Sequence, residues 1–211
     1  GVQPRNVIAF TFTDKAAAEL KERIYRTVGA AIPDIVGMAE MYVGTMHGYC
    51  LDLLQTYIPE TFKYGVLTDI TQQLLIDRMS AKSGLTTCTK AVGGNVTTLS
   101  RFKDTRYYKG ALSVLQEDDV TFGLVPDAVK ASLASYQNLL TEQRYFDYTS
   151  MMVEAVRFLE RSQVGPTLDT AEQSLRDHIE GDVRFVIVDE YQDVNPLQEK
   201  LIQRLVHFGA N

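Results

Sequence analysis

The sequence predicts an α/β chain in which a parallel sheet, assembled from the two ends of the chain, is interrupted by a mainly helical insertion. Three observations carry this prediction. The run VIAFTF at residues 7–12 is apolar, β-branched and aromatic, and an amphipathic helical pattern follows it at once. A second apolar run, FVIV at residues 185–188, ends abruptly in two acids and a strong helix start. Between them, from about residue 65 to 144, apolar residues recur at helical spacing and no strong strand run appears.

Residues 7–12 have the pattern of a strand buried on both faces. Thr13 can cap a helix running to about Val28, with Ala17, Leu20, Ile24 and Val28 on one face. Glu19/Arg23 and Glu22/Arg26 form i,i+4 pairs on the other face. Pro33 and Gly37 break the chain before a short strand at residues 41–44, and a helix from about residue 47 to 57 is ended by Pro59. In the insertion, TQQLLIDRM and DAVKASLASYQNLL read as helices, the second started by Pro126 and Asp127. The polar, Gly-containing residues 83–98 read as its most loop-like part. A helix at about residues 148–161, a Gly165-Pro166 break and a helix beginning near Asp169, its first turn tied off by Glu172, lead back to the β signal. After residues 185–188, Asn195, Pro196 and Gln198 supply cap, first-turn proline and capping-box partner of the last helix. The expected division is residues 1–64 and 146–211 for the sheet, whose strands 7–12 and 185–188 meet in space, and 65–145 for the insertion.

With 211 residues, 45% hydrophobic and 23% charged, the chain can bury a core of one large or two small domains. A formal net charge of -6 excludes a protein that holds nucleic acid by bulk positive charge, so any DNA contact must be local. Cys50 and Cys88 have no CxxC pattern and no His at ligand spacing, so neither a zinc site nor a disulfide framework is indicated, and a reduced, cytoplasmic setting is expected. No apolar run approaches the ~18 residues of a membrane span, and the start, GVQPRNVIAF, lacks the regions of a signal peptide. Both ends read as cut: position 1 is Gly, a β-like run follows within a few residues, and HFGAN closes just after a patterned helix.

The acids after residue 188 are the strongest chemical signal. A buried parallel strand, as residues 185–188 are expected to form, that releases two carboxylates at its C-terminal end puts them where open α/β sheets bind ligands. In a phosphate-handling site Asp189 can hold Mg²⁺, Glu190 can accept a proton from water attacking a γ-phosphate, and Gln192 and Asp193 can sense or orient that geometry. A solvated acidic turn before a helix is the competing reading of a bare Asp-Glu pair.

Three segments in order decide between them. VIVDEYQDVNPLQ resembles motif II of the UvrD/Rep branch of superfamily 1 DNA helicases, AFTFTDKAAAELKERI (residues 9–24) resembles their motif Ia, and VGTMHGYCLDLL (residues 43–54) resembles motif Ib. Phe146-Asp147-Tyr148 resembles the Phe-Asp-Asp-Leu element before motif II, with Tyr148 and Thr149 where the family has Asp and Leu. The resemblance implies a partial RecA-like sheet, a P-loop NTPase fold without its P-loop, carrying a helical insertion of the 1B type. It implies an ATP-dependent helicase or translocase on single-stranded DNA in repair, replication or recombination, with ATP and Mg²⁺ as cofactors. In that scheme Asp189 is the Mg²⁺ ligand, Glu190 the catalytic base, and Gln192, Asp193 and Gln198 are accessory to the ATP site. Thr11, Phe12, Thr13, Thr45 and His47 face DNA. Asp14 stands where the family commonly has Asn, which places a negative charge near expected phosphates.

Lys15 is a weaker phosphate candidate, with a solvated helix position as the simpler reading. In RFKDTRYYKG, Arg101, Lys103, Arg106 and Lys109 interleave with Phe102, Tyr107 and Tyr108, which suits a nucleic-acid surface as well as it suits an amphipathic helix end. No GxxxxGK[ST] occurs in the 211 residues. The expectation is therefore an internal fragment, inactive by itself, whose parent supplies the P-loop segment and the second RecA-like lobe and works at single-strand/double-strand junctions. In a bacterium it would sit at the nucleoid. A degenerate DNA-binding paralogue and a piece of a helicase-nuclease are the competing readings.

Overall fold

The structure, a computed structural model, describes residues 2–118, 120, 122–163 and 168–208. The expected Gly165-Pro166 break and the terminal Gly1 and residues 209–211 lie outside the described residues. Strand β1 is Val7–Thr11, with Ile8, Ala9, Phe10 and Thr11 all buried. It ends one residue earlier than the apolar run, because the backbone turns at Phe12 so that the Thr13 Oγ1 can accept the Ala16 amide at 3.1 Å and start helix α1 (Asp14–Ala31). Only Ala17 of the expected α1 stripe is fully buried, while Leu20, Ile24 and Val28 are half-buried. The Glu19/Arg23 and Glu22/Arg26 pairs close no salt bridge among the described residues, and Glu19 instead lies 3.9 Å from Lys15. Such exposed pairs gain little in water.

Strand β2 (Tyr42–Thr45) runs into α2 (Met46–Tyr57), which starts because Thr45 Oγ1 accepts the Gly48 amide at 3.1 Å. The insertion follows as β3 (Gly65–Val66), α3 (Asp69–Arg78), β4 (Thr89–Val92), β5 (Asn95–Thr98), α4 (Thr105–Glu117), α5 (Asp127–Gln143) and β6 (Tyr145–Phe146). The chain closes with α6 (Tyr148–Gln163), α7 (Thr170–Asp182), β7 (Phe185–Val188) and α8 (Pro196–His207). Both predicted capping boxes form, Asp169 with Glu172 and Asn195 with Gln198.

The main sheet has the order β2-β1-β7 and is wholly parallel, with Thr11 opposite Thr45 and Phe10 opposite Val188. The two distant strands thus meet as expected. Its edge position corrects one expectation: β7 is not a fully buried strand, and Ile187 is 55% exposed. The chain forms two compact units, Gly1–Phe62 with Glu154–Asn211 and Lys63–Val153. The first is an α/β domain built on the parallel β2-β1-β7 sheet.

The inserted unit has its own core, including Ile76, Leu85, Leu99, Leu112, Leu133 and Tyr136. Residues 83–98 are not its loop: they contain the antiparallel β4-β5 hairpin, turned by Gly93 (φ +57°) and Gly94 (φ +82°). A two-residue Gly-Gly connection suits the twist of a hairpin, and that local signal outweighs the polar composition. Buried polar groups knit this unit together. Asp147 accepts from Tyr136 Oη at 2.5 Å and from Gln72 Nε2 at 2.8 Å while its Oδ1 accepts the Ser150 amide at 2.6 Å. Tyr108 donates to the Ser83 carbonyl at 2.5 Å, and Asp77 accepts from the Phe102 amide at 2.8 Å and from the Thr105 hydroxyl.

Candidate functional site

Because β1, β2 and β7 are parallel, their C-terminal ends lie along one edge of the sheet, and the sequence places α1, α2 and the acidic turn directly after them. Thr13 and Thr45 cap α1 and α2, so two helix N-termini start side by side at this edge. Their first-turn amides and the positive dipole ends form a surface suited to phosphate. Thr11 contributes differently from expectation. It is buried, and its hydroxyl donates to the Thr13 carbonyl at 3.1 Å, which shapes the turn and presents no free hydroxyl. Phe12, by contrast, points out of the core and is 41% exposed, whereas Phe10 is fully buried.

A small cleft, a cavity of about 20 Å³, lies at this edge, lined by Phe10, Thr11, Phe12, Met46, His47, Val188, Asp189 and Gln198. Residues that follow β1 and β2 and residues that follow β7 thus line one cleft. His47 is half-buried, and burial holds its imidazole below the ordinary value, so the ring is neutral near pH 7. The Gln198 Oε1 accepts the Asn195 amide at 3.0 Å, so this buried side chain caps α8 at the same time as it lines the cleft.

Asp189 is exposed, its amide donates to the Phe10 carbonyl at 2.9 Å, and its carboxylate forms no salt bridge among the described residues. A lone carboxylate beside a phosphate surface fits Mg²⁺, which keeps several waters and takes one or two protein carboxylates plus substrate oxygens. No cluster of three or more acidic, His or Cys ligands occurs among the described residues, so an all-protein metal cage is not built here. Glu190 adopts a left-handed backbone, φ +53°, at the sharp exit from β7, and its carboxylate accepts from Gln192 Nε2. The reversal of the chain there turns Glu190 out of the strand line. Asp193 lies on the same short turn, its amide donating to the Glu190 carbonyl at 2.9 Å.

Lys15 is a solvated residue paired loosely with Glu19. Arg101, Lys103, Arg106 and Tyr107 belong to the inserted unit, and all four are exposed. Sequence reasoning overlooked Tyr42. Its hydroxyl donates to the Thr45 carbonyl at 2.8 Å, and its ring lies so close to Gly44 and Gly48 that a Cβ there would sit 2.7 Å and 3.0 Å from the phenol oxygen. The two glycines of GTMHG were the available signal, since each marks a close approach. Burial, with the Asp52 carboxylate nearby, pushes the Tyr42 phenol up, so it stays a donor.

The model of the UvrD/REP helicase N-terminal domain matches residues 1–211. The chain belongs to this family. It is 26% identical to a probable DNA helicase of Mycoplasma pneumoniae over all of the chain and 37% of that protein. It is 26% identical to the ATP-dependent DNA helicase PcrA of Staphylococcus aureus, over 97% of the chain and 26% of that protein. Against the PcrA of Bacillus subtilis it is 25% identical, over all of the chain and 26% of the relative. The chain thus spans between about a quarter and just over a third of the length of these curated relatives. With its parallel β2-β1-β7 sheet, the chain is a partial RecA-like α/β helicase domain, and no described helix is long and apolar enough to cross a membrane.

Proposed function

We propose that this chain is part of an ATP-dependent DNA helicase that moves along single-stranded DNA and acts at single-strand/double-strand junctions in repair, replication or recombination. The observation that carries the reading is the shared cleft: Asp189 and Gln198 line it together with Phe12 and His47, so groups suited to nucleotide and to DNA meet at one sheet edge. Such an arrangement lets a change at either ligand alter the packing around the other. Asp189 would hold Mg²⁺, which supplies charge neutralisation at the phosphates when bound. Glu190 would take the proton of the attacking water, with Gln192 orienting its carboxylate. The amides at the α1 and α2 N-termini would hold DNA phosphates, and the exposed Phe12 ring would stack on a base or sugar. Residues 65–145 would serve as the 1B-type insertion. The β- and γ-phosphates require a Gly-Lys-Thr/Ser loop, and the catalytic cycle a second RecA-like lobe, both supplied by the parent chain in the cytoplasm.

The test has two arms. The 211-residue chain should not turn over ATP, and Phe12→Ala should weaken its binding to a single-stranded oligonucleotide by about tenfold. In a longer chain that carries the Gly-Lys-Thr/Ser loop, Glu190→Gln should reduce DNA-stimulated ATP hydrolysis by roughly 10²–10⁴-fold with DNA affinity retained. DNA-stimulated turnover indifferent to Glu190→Gln would sink the assignment.

A further inference from the structure

One residue of the inserted unit breaks the backbone rules without a structural reason of its own. Of the three non-glycine residues with positive φ among the described residues, Arg144 closes α5 as a left-handed cap and Glu190 turns the acidic strand end. The third is Phe102, at φ +62°. The Lys103 amide donates to the Arg101 carbonyl at 2.7 Å, so Phe102 is the central residue of a γ-turn with positive φ, a rare and strained conformation. A bulky side chain in that region is an outlier, and glycine would fit there without penalty. Two anchors hold the strain in place: the buried Asp77 carboxylate accepts the Phe102 amide at 2.8 Å, and the Thr105 hydroxyl, one turn on, donates to the same oxygen.

The strain does not serve the core. The ring stands 71% exposed, with the Arg101 guanidinium 4.8 Å from its centroid. Around it the exposure pattern is helical. Asp104, Thr105, Tyr108 and Lys109 are buried, while Lys103, Arg106 and Tyr107 point outward, Tyr107 at 67% exposure. The acids of this region already have closer partners, with Arg106 and Lys103 only weaker electrostatic neighbours of Asp69 and Asp104. Asp104 is paired with Lys90, Asp69 with Lys109, and Asp77 with the turn itself, and neither Arg101, Lys103 nor Arg106 closes a salt bridge among the described residues. On a chain of net charge -6, this leaves three cations and two exposed aromatic rings on one small surface.

We propose that Phe102 is a base-stacking platform for unpaired DNA, flanked by phosphate contacts from Arg101, Lys103 and Arg106 and by a second ring from Tyr107. Charge complementarity selects a polyanion, and an exposed ring held upright at a strained turn selects a flat apolar face, which a single-stranded base offers and a paired, stacked base does not. The proposal rests on the DNA-binding reading for its ligand, but not on any residue of the sheet edge.

The 211-residue chain and a single-stranded oligonucleotide containing 2-aminopurine test it, with anisotropy for affinity and base fluorescence for stacking. Phe102→Gly removes both ring and strain, so its thermal midpoint should equal or exceed that of the parent while affinity falls about tenfold and the fluorescence change on binding diminishes. Phe102→Leu keeps bulk without aromaticity and should bind as weakly, whereas Phe102→Tyr should bind as the parent does. Arg106→Ala should lower the salt dependence of binding by about one counterion. Unchanged affinity in Phe102→Gly or Phe102→Leu, a lower midpoint in Phe102→Gly, or equal affinity for a blunt duplex would each overturn the proposal. Loss on Phe12→Ala without loss on Phe102→Gly would overturn it and leave the sheet-edge reading standing. The reverse pattern would support it and remove Phe12 from the DNA site, and no binding by the parent chain would overturn both.

Discussion

The two units of this chain use their carboxylates in opposite ways. At the sheet edge, Asp189, Glu190 and Asp193 are exposed at the end of β7, and Asp189 has no cation partner among the described residues. In the inserted unit, Asp77, Asp104 and Asp147 are buried and bonded to amides, hydroxyls or a lysine. Acids left available cost the fold little and can serve a ligand, while acids already engaged hold turns and helix starts in place. Substitutions should therefore separate function from stability along the boundary between the units.

The largest stability effect should come from Gly84→Ala in the inserted unit. Its φ is +82° and a Cβ would lie 2.5 Å from the Ser132 hydroxyl and 2.8 Å from the Ser132 Cα, so about 3 kcal/mol should be lost in denaturant unfolding. Asp147→Ala should cost ~2–3 kcal/mol, since Tyr136 and Gln72 each lose an acceptor and Ser150 loses its cap; a variant as stable as the parent would break the comparison. At the sheet edge, Asp189→Ala should change stability by less than ~0.5 kcal/mol, as surface substitutions do. Glu190→Gly should raise stability by up to about 1 kcal/mol by relieving a left-handed backbone, while removing the proposed base.

The smallest effect is a pH dependence. Burial lowers the His47 pKa in the folded state, so the unfolded chain takes up the proton first as pH falls. Stability from this group is present above the ordinary imidazole value of 6.5 and is lost as pH drops through the folded value. His47→Gln should flatten the acid side of a stability profile below pH 6.5, and an unchanged slope would contradict the burial argument. The inserted unit has its counterpart at alkaline pH. Burial pushes the Tyr108 phenol up to about 12, so stability from Tyr108 should decline between its ordinary value of 10.0 and that range.

What could be read from the residues followed physical locality. Strand β7, its acids and the Asn195-Pro196-Gln198 helix start lie within fourteen consecutive residues, and each is dictated by near neighbours. The Thr13 and Thr45 caps are equally local. The hairpin at residues 89–98 is hard to read from the sequence although Gly93-Gly94 marks its turn, because a hairpin exposed everywhere but at Lys90 lacks the apolar alternation that marks a half-buried one.

The sequence by itself determined the elements of the sheet edge and the acids that follow its last strand, because backbone preference, capping and hydrophobic period act over a few residues. Only the tertiary structure decided that Phe12 faces outward while Thr11 turns in, that His47 and Gln198 share a cleft with Asp189, and that Phe102 stands strained and exposed. Those outcomes depend on which residues from distant parts of the chain pack together. Thr11 lies opposite Thr45 and Phe10 opposite Val188, and Asp77 reaches across 25 positions to hold the turn at Phe102. No local pattern encodes such contacts, because burial is a property of the assembled core.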